Sequence, residues 1–105
     1  MQVERLNKMF KYEGTGKISH IFESNNQVVT NLVMEKGKTI PTHDAPYTVV
    51  VVPVKGRVIF SGENFKEEIY PGVIVRMEPK EPHSLYALED SELMVVKSRL
   101  ITEEN

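Results

Sequence analysis

The chain has no cysteine, no surplus of basic residues and no long apolar run, and each absence removes a class of function. Without cysteine there can be no disulfide, thiolate nucleophile or cysteine-based zinc site, so any metal would have to be held by histidine, carboxylate or softer fallback ligands. A net charge of −2, with 27% charged residues, gives no electrostatic footprint for DNA or another polyanion. The opening stretch Met1 to Gly14 carries Glu4, Arg5, Lys8, Lys11 and Glu13 where a signal peptide or membrane anchor would be apolar. A cytoplasmic protein is therefore expected.

What is present is the pattern of a β protein. The 105 residues suit one compact domain with one core. Runs of β-branched and alternating residues predict strands over Lys17 to Glu23, Gln27 to Met34, Tyr47 to Val54, Arg57 to Phe60, Phe65 to Tyr70, Val73 to Met77, His83 to Leu88 and Glu92 to Leu100. Between them lie turn-forming groups such as Asn25-Asn26, Lys55-Gly56, Pro71-Gly72 and Glu89-Asp90-Ser91. Short strands at this spacing predict a sandwich or barrel. Residues 1–26 are expected to supply an N-terminal arm or one short helix over Met1 to Tyr12, then an edge strand, with the barrel over residues 27–100. The strand Tyr47 to Val54 is apolar on both faces, which predicts a cover on each side and makes a homodimer the economical arrangement. The other arrangement folds Met1 to Phe22 over that face within one monomer.

Two stretches carry a family resemblance. Gly37-Lys-Thr-Ile-Pro-Thr-His43-Asp-Ala45-Pro-Tyr-Thr-Val49, followed by Val-Val-Val-Pro-Val-Lys-Gly56, resembles the first cupin motif, G-x5-H-x-H-x3-E-x6-G, without a gap. Gly72-Val-Ile-Val-Arg-Met-Glu-Pro79-Lys-Glu-Pro82-His83-Ser-Leu-Tyr-Ala87 resembles the second, G-x5-P-x-G-x2-H-x3-N, with its proline displaced to Pro79, its inner glycine replaced by Lys80 and its closing asparagine by Ala87. The resemblance is to small single-domain cupins of the RmlC-like superfamily and spans roughly Met34 to Lys97. It implies an all-β, jelly-roll-like double-stranded β-helix, a barrel of two antiparallel sheets. Fold alone carries no activity.

The resemblance also implies a pocket. Metal-binding cupins take their ligands from the two histidines and the glutamate of the first motif and the histidine of the second. Here His43 and His83 match ligand positions, while Ala45 and Val49 stand at the other two and have no lone pair to donate. On a continuous strand, positions 43, 45, 47 and 49 would project toward one interior, so His43, Ala45, Tyr47 and Val49, together with Met34 and His83, are the expected pocket residues. If metal binds, His43 and His83 would hold it, and imidazole ligands favour Zn, Ni, Fe, Cu or Mn over Mg or Ca. Asp44 is expected to point away, and Glu78 to reach the mouth only if the following turn bends inward. His20 matches neither motif. Arg57, Arg76 and Lys97 lie on strands whose facing the sequence does not fix. Two function classes follow: a small-molecule-binding cupin with an incomplete metal site, or a metal-dependent cupin enzyme of dioxygenase, isomerase or decarboxylase type. The missing ligands favour the first. Whether the chain is an enzyme stays open here.

Overall fold

The computed structural model describes residues 1–3 and 17–98, with residues 17–20 as backbone only. The segment anticipated as an N-terminal helix or arm lies, from residue 4 to 16, outside the described residues. The rest is all-β, as expected: β1 (Lys17–Glu23), β2 (Gln27–Met34), β3 (Thr39–His43), β4 (Thr48–Lys55), β5 (Val58–Gly62), β6 (Phe65–Ile69), β7 (Val75–Met77), β8 (His83–Ala87) and β9 (Ser91–Ser98). They form a five-stranded sheet in the order β1-β2-β9-β4-β7 and a four-stranded sheet in the order β3-β8-β5-β6, with every pair antiparallel. No helix among the described residues is long and apolar enough to cross a membrane.

From β3 onward the chain passes repeatedly from one sheet to the other, the winding of a double-stranded β-helix. The sequence pattern does not predict β3. Its residues Thr39-Ile-Pro-Thr-His43 are mostly exposed, without the alternation that marks a half-buried strand, and Pro41 removes one ladder donor. It pairs along β8 at a sheet edge, where such a sequence is tolerated. The anticipated strand from Tyr47 starts at Thr48, and residues 44–47 form the crossing from the four-stranded sheet to the five-stranded one. The strand alternation expected through residues 43, 45, 47 and 49 is therefore interrupted.

Inward side chains from both sheets fill the gap between them. Phe60, Met34, Ile69, Leu93 and Val58 are fully buried there, and each contributes roughly 1.5–3 kcal/mol through loss of apolar surface to water. The outer face of β4 is less covered: Val50 and Val52 are half-buried and Val54 is 41% exposed. The register sets Val50 beside Val96 and Val52 beside Met94, so these side chains make one apolar stripe. Further along the same face the Asn31 amide donates a 2.8 Å hydrogen bond to the buried Glu92 carboxylate.

The turn from β4 to β5 shows how tightly the crossings are closed. Gly56 has φ +86°, and a Cβ there would lie 2.3 Å from Ser91 Oγ and 2.4 Å from the Asp90 carbonyl oxygen. Gly37 has a similar φ of +88° but nothing within 4 Å of a Cβ. The conformational penalty of a left-handed alanine is about 1–2 kcal/mol at either position, whereas overpacking against backbone adds about 1–3 kcal/mol at Gly56 alone. Urea denaturation should thus show Gly56→Ala losing clearly more stability than Gly37→Ala. Equal losses would refute the close approach to Ser91.

Candidate functional site

The ends of β3 and β8 meet at one point. His43, the last residue of β3, is the direct cross-strand partner of His83, the first of β8. Their rings pack edge to face, with centroids 4.1 Å apart and planes inclined by 61°. On its other side His83 stacks on Phe60, with centroids 5.8 Å apart and planes 4° from parallel. His83 is only 6% exposed, whereas His43 is open to solvent.

Both histidines have the same tie to their own backbone. His43 Nδ1 lies 2.9 Å from the Pro41 carbonyl oxygen, and His83 Nδ1 lies 2.9 Å from that of Glu81. A carbonyl oxygen only accepts, so each neutral ring carries its proton on Nδ1 and keeps the Nε2 lone pair available. The segment before His83 is held in place by neighbours: the Lys80 amide donates to the Ala45 carbonyl at 2.6 Å, and the Glu78 amide donates to the Glu81 carboxylate at 2.7 Å. Lys80 adopts φ +68°, the left-handed conformation that the glycine of the second motif would take without steric penalty. The loop carrying Ala45 and the turn leading into His83 are thereby joined.

Burial pushes the His83 pKa down, and the neighbouring His43 adds to that effect. The Glu81 carbonyl and the carboxylates of Asp44 and Glu81 oppose it without reversing it. His83 is therefore neutral at pH 7.

A cavity of about 110 Å³ opens beside this pair inside the barrel. His43, His83 and Val49 line it, as expected from the sequence, together with Val51, Phe60 and Leu85, which the sequence did not single out. Met34 is fully buried in the core and does not line the cavity, and Ala45 and Tyr47 pack against the core from the crossing segment instead. The structure fixes the facing of the three basic residues. Arg57 pairs with Glu68 and lies over the Tyr70 ring on the surface, and Arg76 pairs with Glu78, which keeps that carboxylate outside. Lys97 lines the cavity. His20 pairs through its backbone with Thr30, and its side chain is outside the described residues. A wider groove of about 360 Å³ between the β5–β6 hairpin and the segment before His83 shares Phe60, Met77 and His83 with the cavity.

Imidazoles fixed through Nδ1 are well prepared as metal ligands. The rest of the site is not. Among the described residues no three histidine, cysteine or acidic side chains converge, Val49 forms part of the wall, and the one additional charged group in the cavity lining is the cation of Lys97. A divalent metal normally takes three or more protein donors, and a nearby ammonium opposes it. The residues present do not fit a resident metal.

No family model matches the chain, and no curated protein matches its sequence. Solved structures do match. An RmlC-like cupin protein from Desulfovibrio desulfuricans superposes with a TM-score of 0.84 at 18% identity, over 93% of this chain and 96% of that one. A protein from Thermus thermophilus gives 0.83 at 16% identity, over 94% and 98%. The DMSP lyase DddQ from Ruegeria pomeroyi gives 0.74 at 19% identity, over 87% of this chain and 50% of that one, so this barrel architecture also occurs in an enzyme. The fold is that of a small RmlC-like cupin barrel.

The lowered His83 pKa has a consequence for stability. The unfolded chain, with an ordinary value of 6.5, takes up the proton more readily than the folded one. The contribution of neutral His83 is complete above pH 6.5 and declines as the pH falls below it. With chelator present, acidification from about pH 7.5 to about 5.5 should lower the denaturation midpoint of the parent more than that of His83→Gln. Equal shifts would contradict the assignment.

Proposed function

With the cupin barrel as the starting point, we propose that this protein is a cytoplasmic small-molecule-binding cupin whose ligand sits in the barrel cavity beside His43 and His83. The observation that carries the reading is the pairing of an apolar wall with two imidazoles whose Nε2 atoms have no protein partner among the described residues. A largely apolar cleft with a few convergent polar groups is the usual form of a small-ligand site. The metal-dependent enzyme of the same fold is the competing reading, favoured by the Nδ1 ties of both rings and opposed by the donor count and by Lys97.

Metal analysis separates the two. Protein purified without an affinity tag, then supplied with Zn, Ni, Fe, Cu and Mn and dialysed, should retain less than stoichiometric metal, and the His43→Ala/His83→Ala double variant should not differ from it. Stoichiometric metal that disappears in the double variant would favour the enzyme. In parallel, an NMR screen of small organic ligands should move the ring signals of His43 and His83.

We further propose that the working form is a homodimer formed through the apolar stripe of Val50, Val52, Met94 and Val96. Half-buried side chains aligned across two neighbouring strands support it. Sedimentation should give a dimer for the parent and a folded monomer for Val50→Lys, because a buried unpaired ammonium at the interface is strongly unfavourable. A folded Val50→Lys dimer would exclude this face.

A further inference from the structure

We propose that the cavity is selective for a short hydroxy-monocarboxylate, with the carboxylate bound by Lys97 and the single hydroxyl proton donated to one imidazole Nε2 of the His43–His83 pair, a proposal that rests on the binding-pocket reading above.

The argument begins with the register of the five-stranded sheet. Val28, Lys97, Val49 and Met77 are successive cross-strand partners on β2, β9, β4 and β7, so their side chains stand in one row on the inner face. Val28, Val49 and Met77 are buried. Lys97 is the charged member of an apolar row, half-buried and in the cavity wall. Among the described residues it has no ion-pair partner, and no carboxylate side chain lines the cavity. A partly desolvated ammonium without a counter-charge is unfavourable, and a bound anion removes that penalty.

The opposite wall has complementary chemistry. His43 and His83 belong to the four-stranded sheet and Lys97 to the five-stranded one, so cation and imidazoles come from facing layers. The ammonium only donates, while the imidazoles, protonated on Nδ1, present Nε2 as acceptors. A plain carboxylate satisfies the first wall and leaves the second unpaired. A ligand that also carries a hydroxyl satisfies both. The remaining surface, which includes Leu32, Val51, Phe60 and Leu85, suits a short alkyl part. Since a cavity of about 150 Å³ accommodates benzene, about 110 Å³ admits roughly four to six non-hydrogen atoms. With one cation in the wall, a single negative charge is matched and a second is not.

The test uses three probes of five or six non-hydrogen atoms titrated into chelator-treated protein, with binding read from NMR shifts of the His43 and His83 rings: lactate, its uncharged amide lactamide, and propionate. In the parent, lactate should bind at least tenfold more tightly than either of the others. In Lys97→Met the affinity for the acid should fall at least tenfold and the preference for acid over amide should vanish, and Lys97→Arg should restore part of it. An amide as tight as the acid in the parent, a comparison that needs no variant, would overturn the carboxylate assignment and leave the pocket reading intact. Propionate as tight as lactate would overturn the role given to the imidazoles. Binding of none of the three would overturn the proposal as a whole, and the pocket reading would fall with it only if the broader ligand screen were also blank.

Discussion

Every inward side chain of either sheet competes for the same gap, and the two-residue period of a strand decides which residues enter it. Most of the molecule follows from that constraint. Away from the cavity the space is taken up by Met34, Ile69, Leu93 and Val58, all fully buried. Near the ends of β3, β8 and β9 the inward residues are His43, His83 and Lys97, which do not pack like aliphatic side chains, and a cavity remains. The site is thus the part of the core that polar residues leave incompletely filled.

How much of this can be read from the sequence depends on whether the information is local. The strand Gln27–Met34 is legible from its β-branched residues and Phe65–Ile69 from the turn groups on either side of it. The strand Thr39–His43 is not: it is held by pairing with β8, and neither hydrophobic alternation nor propensity marks it. The approach of His43 to His83 is implied by a family resemblance, and the structure adds the ring geometry and the Nδ1 ties. Met34, expected in the pocket, is core, because its position along β2 sets it opposite Ser91, at the far end of β9 from Lys97. The facing of Lys97 is not legible, since a lysine near the end of an apolar strand reads equally well as a solvated tip; only the register with Val28 and Val49 turns it inward.

The departures from the cupin motifs have different physical effects. Val49 puts no electron-pair donor in the cavity wall at a motif position, and Lys97, which lies outside both motifs, adds positive charge there, so the two residues change what the cavity attracts in the same direction. Lys80 in the place of glycine changes no cavity chemistry; it occupies a left-handed backbone position, and its amide joins the loop at Ala45 to the turn before His83. The segments that position the histidines are thus distinct from the residues that set the electrostatics of the space they face.

The two free edges of the four-stranded sheet have a further consequence. Strand β3 presents Pro41 at one edge and β6 presents Lys66, Glu67 and Glu68 at the other. A proline cannot complete a ladder, and a dense group of charges resists an incoming strand. Fibrillar growth by strand addition is therefore obstructed at both edges of this sheet, so the unpaired hydrogen-bonding groups of this layer are poor templates for aggregation.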